Sequence, residues 1–214
     1  MILANEDIVG ARVSRLGNLA LSLMLEVKTG EAPPTSTSAG TTPDSTALGK
    51  YAGSYESQSY WAELRVEGGR LIGNFSTQPC NLTPIAGGKF HLSSRLHHDA
   101  VVTFDRDAEG RITGFSVGPQ KFVRVPNRPE TLPDGWRKYC GVYGPDFIPI
   151  IVHEKFGHLY ATTENMVDYR LTPVNRHVFA LPAGMYTDEF AVFLCGKDGQ
   201  PHSVDFASMT FERR

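Results

Sequence analysis

Hydrophobic spacing changes character along the chain, and the changes mark out its parts. From about Ile8 to Val27, Val13, Leu16, Ala20, Leu23 and Val27 recur at three- and four-residue steps, the period of a helix face. Leu19, Leu21, Met24 and Leu25 widen that stripe, so the spacing predicts a helix that needs burial on more than one side. Residues 1–5 read as the end of a strand, Asn5-Glu6-Asp7 supplies helix-start chemistry, and Gly30 ends the helix. Residues 31–47 carry Pro33-Pro34 and a Thr/Ser run with almost nothing apolar to bury, the pattern of a linker. Beyond it the period drops to two. Ala62, Leu64 and Val66 alternate with Glu63 and Arg65, as in a half-buried strand. Further short runs follow, punctuated by Gly68-Gly69, Pro79, Gly87-Gly88, Asp107–Gly110 and Gly118-Pro119.

The strand-rich part is written twice. Lys50-Tyr51-Ala52-Gly53-Ser54-Tyr55 returns as Lys138-Tyr139-Cys140-Gly141-Val142-Tyr143, a Tyr-x-Gly-x-Tyr signature opening each copy. Tyr51, Gly69 and Leu71 have counterparts 88 positions later in Tyr139, Gly157 and Leu159. Phe90, Phe104, Gly110 and Phe122 have theirs 89 positions later in Phe179, Phe193, Gly199 and Phe211. A single inserted residue keeps the whole register, which chance does not do. The organisation read from this is residues 1–30, a linker 31–47, a first repeat 48–125, a second linker 126–135 and a second repeat 136–214. Each repeat holds eight short strands joined by tight turns. The simplest closure is an up-and-down antiparallel barrel, filled by the aromatic residues, which leaves no exposed edge. The fold class is therefore mainly β: two tandem eight-stranded antiparallel, lipocalin-like β-barrels preceded by one α-helix, with a flattened β-sandwich as the alternative. The tyrosine pair of each signature is expected to close the base of its barrel, with Gly53 and Gly141 letting the chain bend.

Composition narrows the partners. In 214 residues, 41% are hydrophobic and 21% charged, and the net charge is −2, so no basic field exists to attract nucleic acid or an anionic membrane. The apolar run Leu19–Val27 is too short to span a bilayer, and Glu6 and Asp7 ahead of it do not suit a secretory signal; the sequence assigns no compartment and leans toward the cytoplasm. Cys80, Cys140 and Cys195 lie in predicted strands without a Cys-x-x-Cys spacing, so neither a disulfide framework nor a zinc knuckle is expected.

Three stretches carry possible chemistry. Gly114-Phe115-Ser116-Val117-Gly118 fits the nucleophile-elbow spelling, but Pro119 and another strand follow where the elbow needs a helix, so Ser116 is expected to face outward. His153-Glu154-Lys155-Phe156-Gly157-His158 has one residue too many for a zinc helix, and Gly157 aligns with the hairpin at Gly69. The expectation there is a β-turn flanked by two exposed histidines. His97-His98-Asp99, with His91 nearby, is expected in a solvated loop.

The order of parts resembles a known family. A strand ending Ile-Leu-Ala-Asn-Glu-Asp, a long apolar helix, a linker, and Tyr-x-Gly-x-Tyr barrels ending in Phe-x-Arg are similar to the C-terminal portion of β-lactamase/penicillin-binding-protein-like serine hydrolases, including the D-aminopeptidase-like members of peptidase family S12. The resemblance implies that residues 1–30 are the last strand and helix of a hydrolase domain, with that catalytic domain as partner in cis or in trans. No serine has a lysine three residues on, as the family's nucleophile motif requires, and Lys28-Thr29-Gly30 follows the helix instead of lying on a strand before it. No catalytic, cofactor-binding or metal residue is carried over, and no cofactor is expected. The function expected is a non-catalytic accessory barrel pair shaping substrate access or assembly, with self-association through the N-terminal helix as an option. The alternatives are a lipocalin-like binder of a small apolar ligand and an independent esterase-like hydrolase.

Overall fold

The computed structural model describes residues 10–30, 45–94, 97, 100–126, 130–164, 166–182 and 188–214. The expected terminal strand at 1–5, most of the 31–47 linker, and His98 and Asp99 lie outside those residues. Helix α1 spans Gly10–Thr29. It ends where Gly30, at φ +75°, donates its backbone N–H to the Glu26 carbonyl. That geometry is a left-handed cap that glycine adopts at little cost. Lys28-Thr29-Gly30 is thus the closing turn of a helix. Leu16, Leu19, Leu21, Leu23, Met24, Leu25 and Val27 are all exposed on it. No helix among the described residues is long and apolar enough to cross a membrane.

After a short helix α2 (Ser45–Leu48) and a 3-10 turn (Gly49–Tyr51), eight strands form a closed antiparallel barrel in chain order. They are β1 Gly53–Glu56, β2 Trp61–Glu67, β3 Arg70–Phe75, β4 Gln78–Ile85, β5 Lys89–Ser94, β6 Ala100–Arg106, β7 Ile112–Val117 and β8 Gln120–Arg124. The seam is the β1–β8 pair, with Tyr55 opposite Arg124. The second repeat starts with the same 3-10 turn (Arg137–Tyr139) and continues as β9 Gly141–Tyr143, β10 Ile150–Lys155, β11 His158–Thr162, β12 Asp168–Pro173, β13 Val178–Ala180, β14 Phe190–Cys195, β15 Pro201–Phe206 and β16 Met209–Glu212. These eight also pair in chain order, and the ends approach through one bridge, Tyr143 to Arg213. Two flanking backbone bonds, Gly144 N–H to Glu212 O and Arg214 N–H to Val142 O, nearly close this barrel too.

The aromatic filling repeats with the sequence. Tyr51 lies against Phe90 at 5.0 Å and Phe104 at 4.5 Å, and Phe104 against Phe115 at 5.4 Å. Their counterparts pack the same way: Tyr139 meets Phe179 at 5.7 Å and Phe193 at 4.4 Å. All of these rings are buried. Withdrawing each from water contributes about 1.5–3 kcal/mol, which is why the repeat retains them at fixed spacing.

Packing divides the chain into two compact units that do not coincide with the repeats. One comprises Met1–Gly53, Leu64–Asn74 and Gln78–Lys121; the other comprises Ser54–Glu63, Phe75–Thr77 and Phe122–Arg214. A stretch of the first repeat therefore belongs to the same unit as the second sheet.

Candidate functional site: a buried carboxylate and histidine network

The residues that tie that unit together come from strict alternation. On β11, Leu159 and Ala161 point into the core, so His158, Tyr160 and Thr162 face the other way. The register places Tyr160 beside His153 on β10 and Arg170 on β12, and Thr162 beside Asp168. A polar grid results on the outer face of three strands. Glu56, Trp61 and Glu63, from β1 and β2, complete it.

Two carboxylates organise the grid. Asp168 is fully buried. Its Oδ2 accepts the Trp61 Nε1–H at 2.6 Å, and its Oδ1 accepts the Thr162 hydroxyl and faces His153 Nε2 at 3.1 Å. Burial alone would raise its pKa, but hydrogen bonds from His153 and Thr162, the His153 charge and the Trp61 indole together hold it below the ordinary value. Glu56 accepts the Tyr160 hydroxyl at 2.7 Å and lies 3.3 Å from His158 Nε2 and 3.5 Å from the Arg170 guanidinium. There too burial pushes up, and the His158 and Tyr160 hydrogen bonds with the Arg170 and His158 charges prevail and lower it. Burial first, then the Glu56 charge, raises the Tyr160 phenol, which stays a proton donor. The Tyr160 ring stacks on His153, linking the two pairs. Arg170 also reaches the chain at Ser57–Ser59 through its backbone N–H to Ser59 O at 3.0 Å. Lys155 bonds Glu63 at 2.8 Å and sits 4.1 Å over the Trp61 ring.

This arrangement joins three strands to the Glu56–Glu63 stretch, and its geometry is not that of an acyl-transfer triad. In an acyl-transfer triad the carboxylate and the nucleophile occupy opposite nitrogens of the histidine. Here Asp168 and Thr162 share one nitrogen, His153 Nε2, at 3.1 and 3.2 Å. Thr162 has already donated its only proton to Asp168, so that nitrogen must itself be a donor. It cannot accept a proton from Thr162.

The stretches singled out from sequence fall elsewhere or change character. Phe156-Gly157 is the β10–β11 turn at φ +53° and +79°, matching Gly68-Gly69 at +56° and +73°. The flanking histidines are not exposed as expected: His153 and His158 side chains keep 33% and 22% of their accessibility because the Glu56–Glu63 stretch covers their face. Alternation from His158 to Thr162 was the available signal, but nothing local announces a distant cover. Ser116 sits half-buried on β7 opposite Thr103, and a turn into β8 follows, so no elbow forms. His97 is half-buried, its backbone N–H held by Ser94 Oγ at 3.0 Å, and burial lowers its pKa; it is not in open solvent. His91 lies on β5 opposite Thr83 and Val101. Cys140 belongs to the turn before β9 and not to a strand, while Cys80 is buried on β4 and Cys195 closes β14; all three are free thiols. Among the described residues no group of three or more His, Cys, Asp or Glu side chains could hold a metal ion.

The opening signature has a structural role. Tyr51, Tyr55, Tyr139 and Tyr143 are all buried. In the second repeat Arg213, the end of Phe-x-Arg, lies 5.9 Å over the Tyr143 ring and bonds the Cys140 carbonyl at 3.0 Å. Gly141, at φ +158°, leaves room for it: a Cβ there would sit 3.2 Å from Arg213 Nε. Arg124 lies 5.8 Å over Tyr55 in the same manner. Tyr-x-Gly-x-Tyr and Phe-x-Arg are two halves of one seam.

Residues 37–125 match the family model described as a domain of unknown function, DUF3471. The match takes in the linker's end and the whole first barrel. DUF3471 is known from the C-terminal region of β-lactamase-like proteins. No curated protein matches the chain.

Proposed function

We propose that this chain acts as a non-catalytic accessory barrel pair for a β-lactamase-related serine hydrolase domain of the D-aminopeptidase-like, S12 kind, shaping substrate access or assembly. The DUF3471 match over the first barrel carries the reading, because that domain occurs behind β-lactamase-like domains. Three features support it. The chain has no Ser-x-x-Lys. The histidine and carboxylate pairs that could do proton chemistry are consumed in holding strands together. The buried Tyr and Phe clusters occupy the space that a lipocalin-like ligand would need. Helix α1, with leucines exposed along its length, is the surface suited to a hydrolase sheet.

The test is to mix the chain with a β-lactamase-like catalytic domain and follow complex formation together with turnover of peptide, ester and β-lactam substrates. Binding with altered turnover is expected. Absence of both overturns the reading, and retention of a fluorescent apolar probe by the isolated chain would favour a binder instead.

A further inference from the structure

The two repeats differ along one strand pair, and the difference has a cause in the sequence. In the first barrel β4 and β5 stay paired from Ile85 and Lys89 through to Cys80 and Ser94. Their counterparts β12 and β13 pair at Thr172 with Ala180 and at Pro173 with Phe179. Ser93, which lies opposite Asn81, has Pro182 as its counterpart 89 positions later, and Asn81 has Arg170. A proline has no N–H to give to a ladder and is kept out of paired strand interiors. β13 accordingly stops at Ala180, short of the Asp168–Leu171 stretch of β12.

A row of open backbone donors and acceptors at a sheet edge is a liability that proteins cover. Here the cover comes from the first repeat. Arg170 lies opposite Tyr160 on β11, and its backbone N–H points the other way, to the Ser59 carbonyl at 3.0 Å. Two residues earlier on the same edge, the Asp168 carbonyl accepts the Ser76 hydroxyl at 3.3 Å. The Met166 carbonyl accepts the Thr77 hydroxyl, and Arg170 Nη1 donates to the Ser57 carbonyl at 3.4 Å. Trp61 donates to Asp168 Oδ2 at 2.6 Å, and the Tyr60 ring lies 6.3 Å from that of Tyr169. The covering segment also holds its own shape. Ser57 donates its backbone N–H to the Tyr60 carbonyl at 2.7 Å, and its Oγ accepts the N–H groups of Ser59 and Tyr60 at 3.1 and 2.7 Å.

We propose that Ser57–Trp61 is a strap, a self-bonded turn that takes the place on β12 which β5 holds on β4. It lifts from β12 as a unit of its own while the sheets stay folded, and so opens the second barrel between β12 and β13. Its hold on β12 consists mainly of hydrogen bonds, which water can replace, with one ring pair as apolar cover. Segments held in that way open at a lower free energy than core strands. Lifting uncovers the β12 edge and Tyr169, which is buried when the strap is down.

Native-state amide exchange of the intact chain, read residue by residue by NMR over a range of low denaturant, tests this. The control is Leu171, the next residue, which lies opposite Leu159 and directs its N–H to β11. The Arg170 amide should exchange faster than that of Leu171 and with little dependence on denaturant, because a local opening exposes little surface. Leu171 should follow the steep dependence of the whole fold. Trp61→Phe removes a hydrogen bond to a charged acceptor and should speed Arg170 exchange at least about tenfold, and Leu171 by less. Matching rates and slopes at the two amides, or equal acceleration of both in the variant, overturn the proposal. If Trp61→Phe does not fold, the two wild-type slopes decide alone, and equal slopes overturn it.

Discussion

Asp168 shows how much one side chain can hold. It has no access to water, and its oxygens collect the Trp61 indole, the Thr162 hydroxyl and His153. Removing one partner of a buried charged group strands the others, at a cost of roughly 3–5 kcal/mol. Asp168→Ala is therefore expected to lower the denaturant midpoint sharply, and Trp61 fluorescence should change as its N–H loses the acceptor. Trp61→Phe should then cost less in an Asp168→Ala background than in the wild type, because the hydrogen bond that the two residues share is already gone. Additive losses in that cycle would show that the hydrogen bond is unimportant.

Turns make the corresponding case for whole elements. Gly69 and Gly157 occupy the same position in the β2–β3 and β10–β11 hairpins, at φ +73° and +79°. Alanine pays a conformational penalty of about 1 kcal/mol at either position. Their surroundings differ: a Cβ on Gly69 meets nothing within 4 Å, whereas one on Gly157 would lie 2.5 Å from the Glu130 carbonyl oxygen. Gly157→Ala should thus destabilise clearly more than Gly69→Ala in thermal melts, and equal shifts would contradict the packing at Glu130. The seam makes a related demand, since any side chain at Gly141 meets Arg213. Gly141→Val is expected to lower the melting temperature, and an unchanged melt would contradict the close approach of Arg213.

In the molecule as a whole, the network makes stability depend on pH in a definite direction. Asp168 and Glu56 both titrate below their ordinary values when folded. Between the folded and unfolded values the unfolded chain binds more protons, so stability rises with pH there. The contribution is complete above the unfolded values of about 4 and is lost as pH falls through the folded ones. Denaturation at a series of pH values should show this acid limb. Glu56→Gln should flatten it, since the amide neither titrates nor pairs as a charge with His158 and Arg170. An unchanged slope would mean that the Glu56 pairs do not couple to unfolding.

The sequence by itself determined the local architecture. Strand periods, glycine turns and a repeat in register specify eight strands twice over and set Tyr51, Phe90 and Phe104 at positions matched by Tyr139, Phe179 and Phe193, because alternation and turn chemistry act over a few residues. Tertiary structure decided which outward faces are covered. His153 and His158 read as exposed histidines beside a turn, and they are part-buried in a network with Tyr160 and Asp168 that Glu56 and Trp61, about a hundred residues away, complete. It also decided what covers the edge of β12, which no motif marks: Ser59 and Ser76 from the first repeat lie against it. Burial and hydrogen bonding between distant segments are properties of packing, and no local period encodes them.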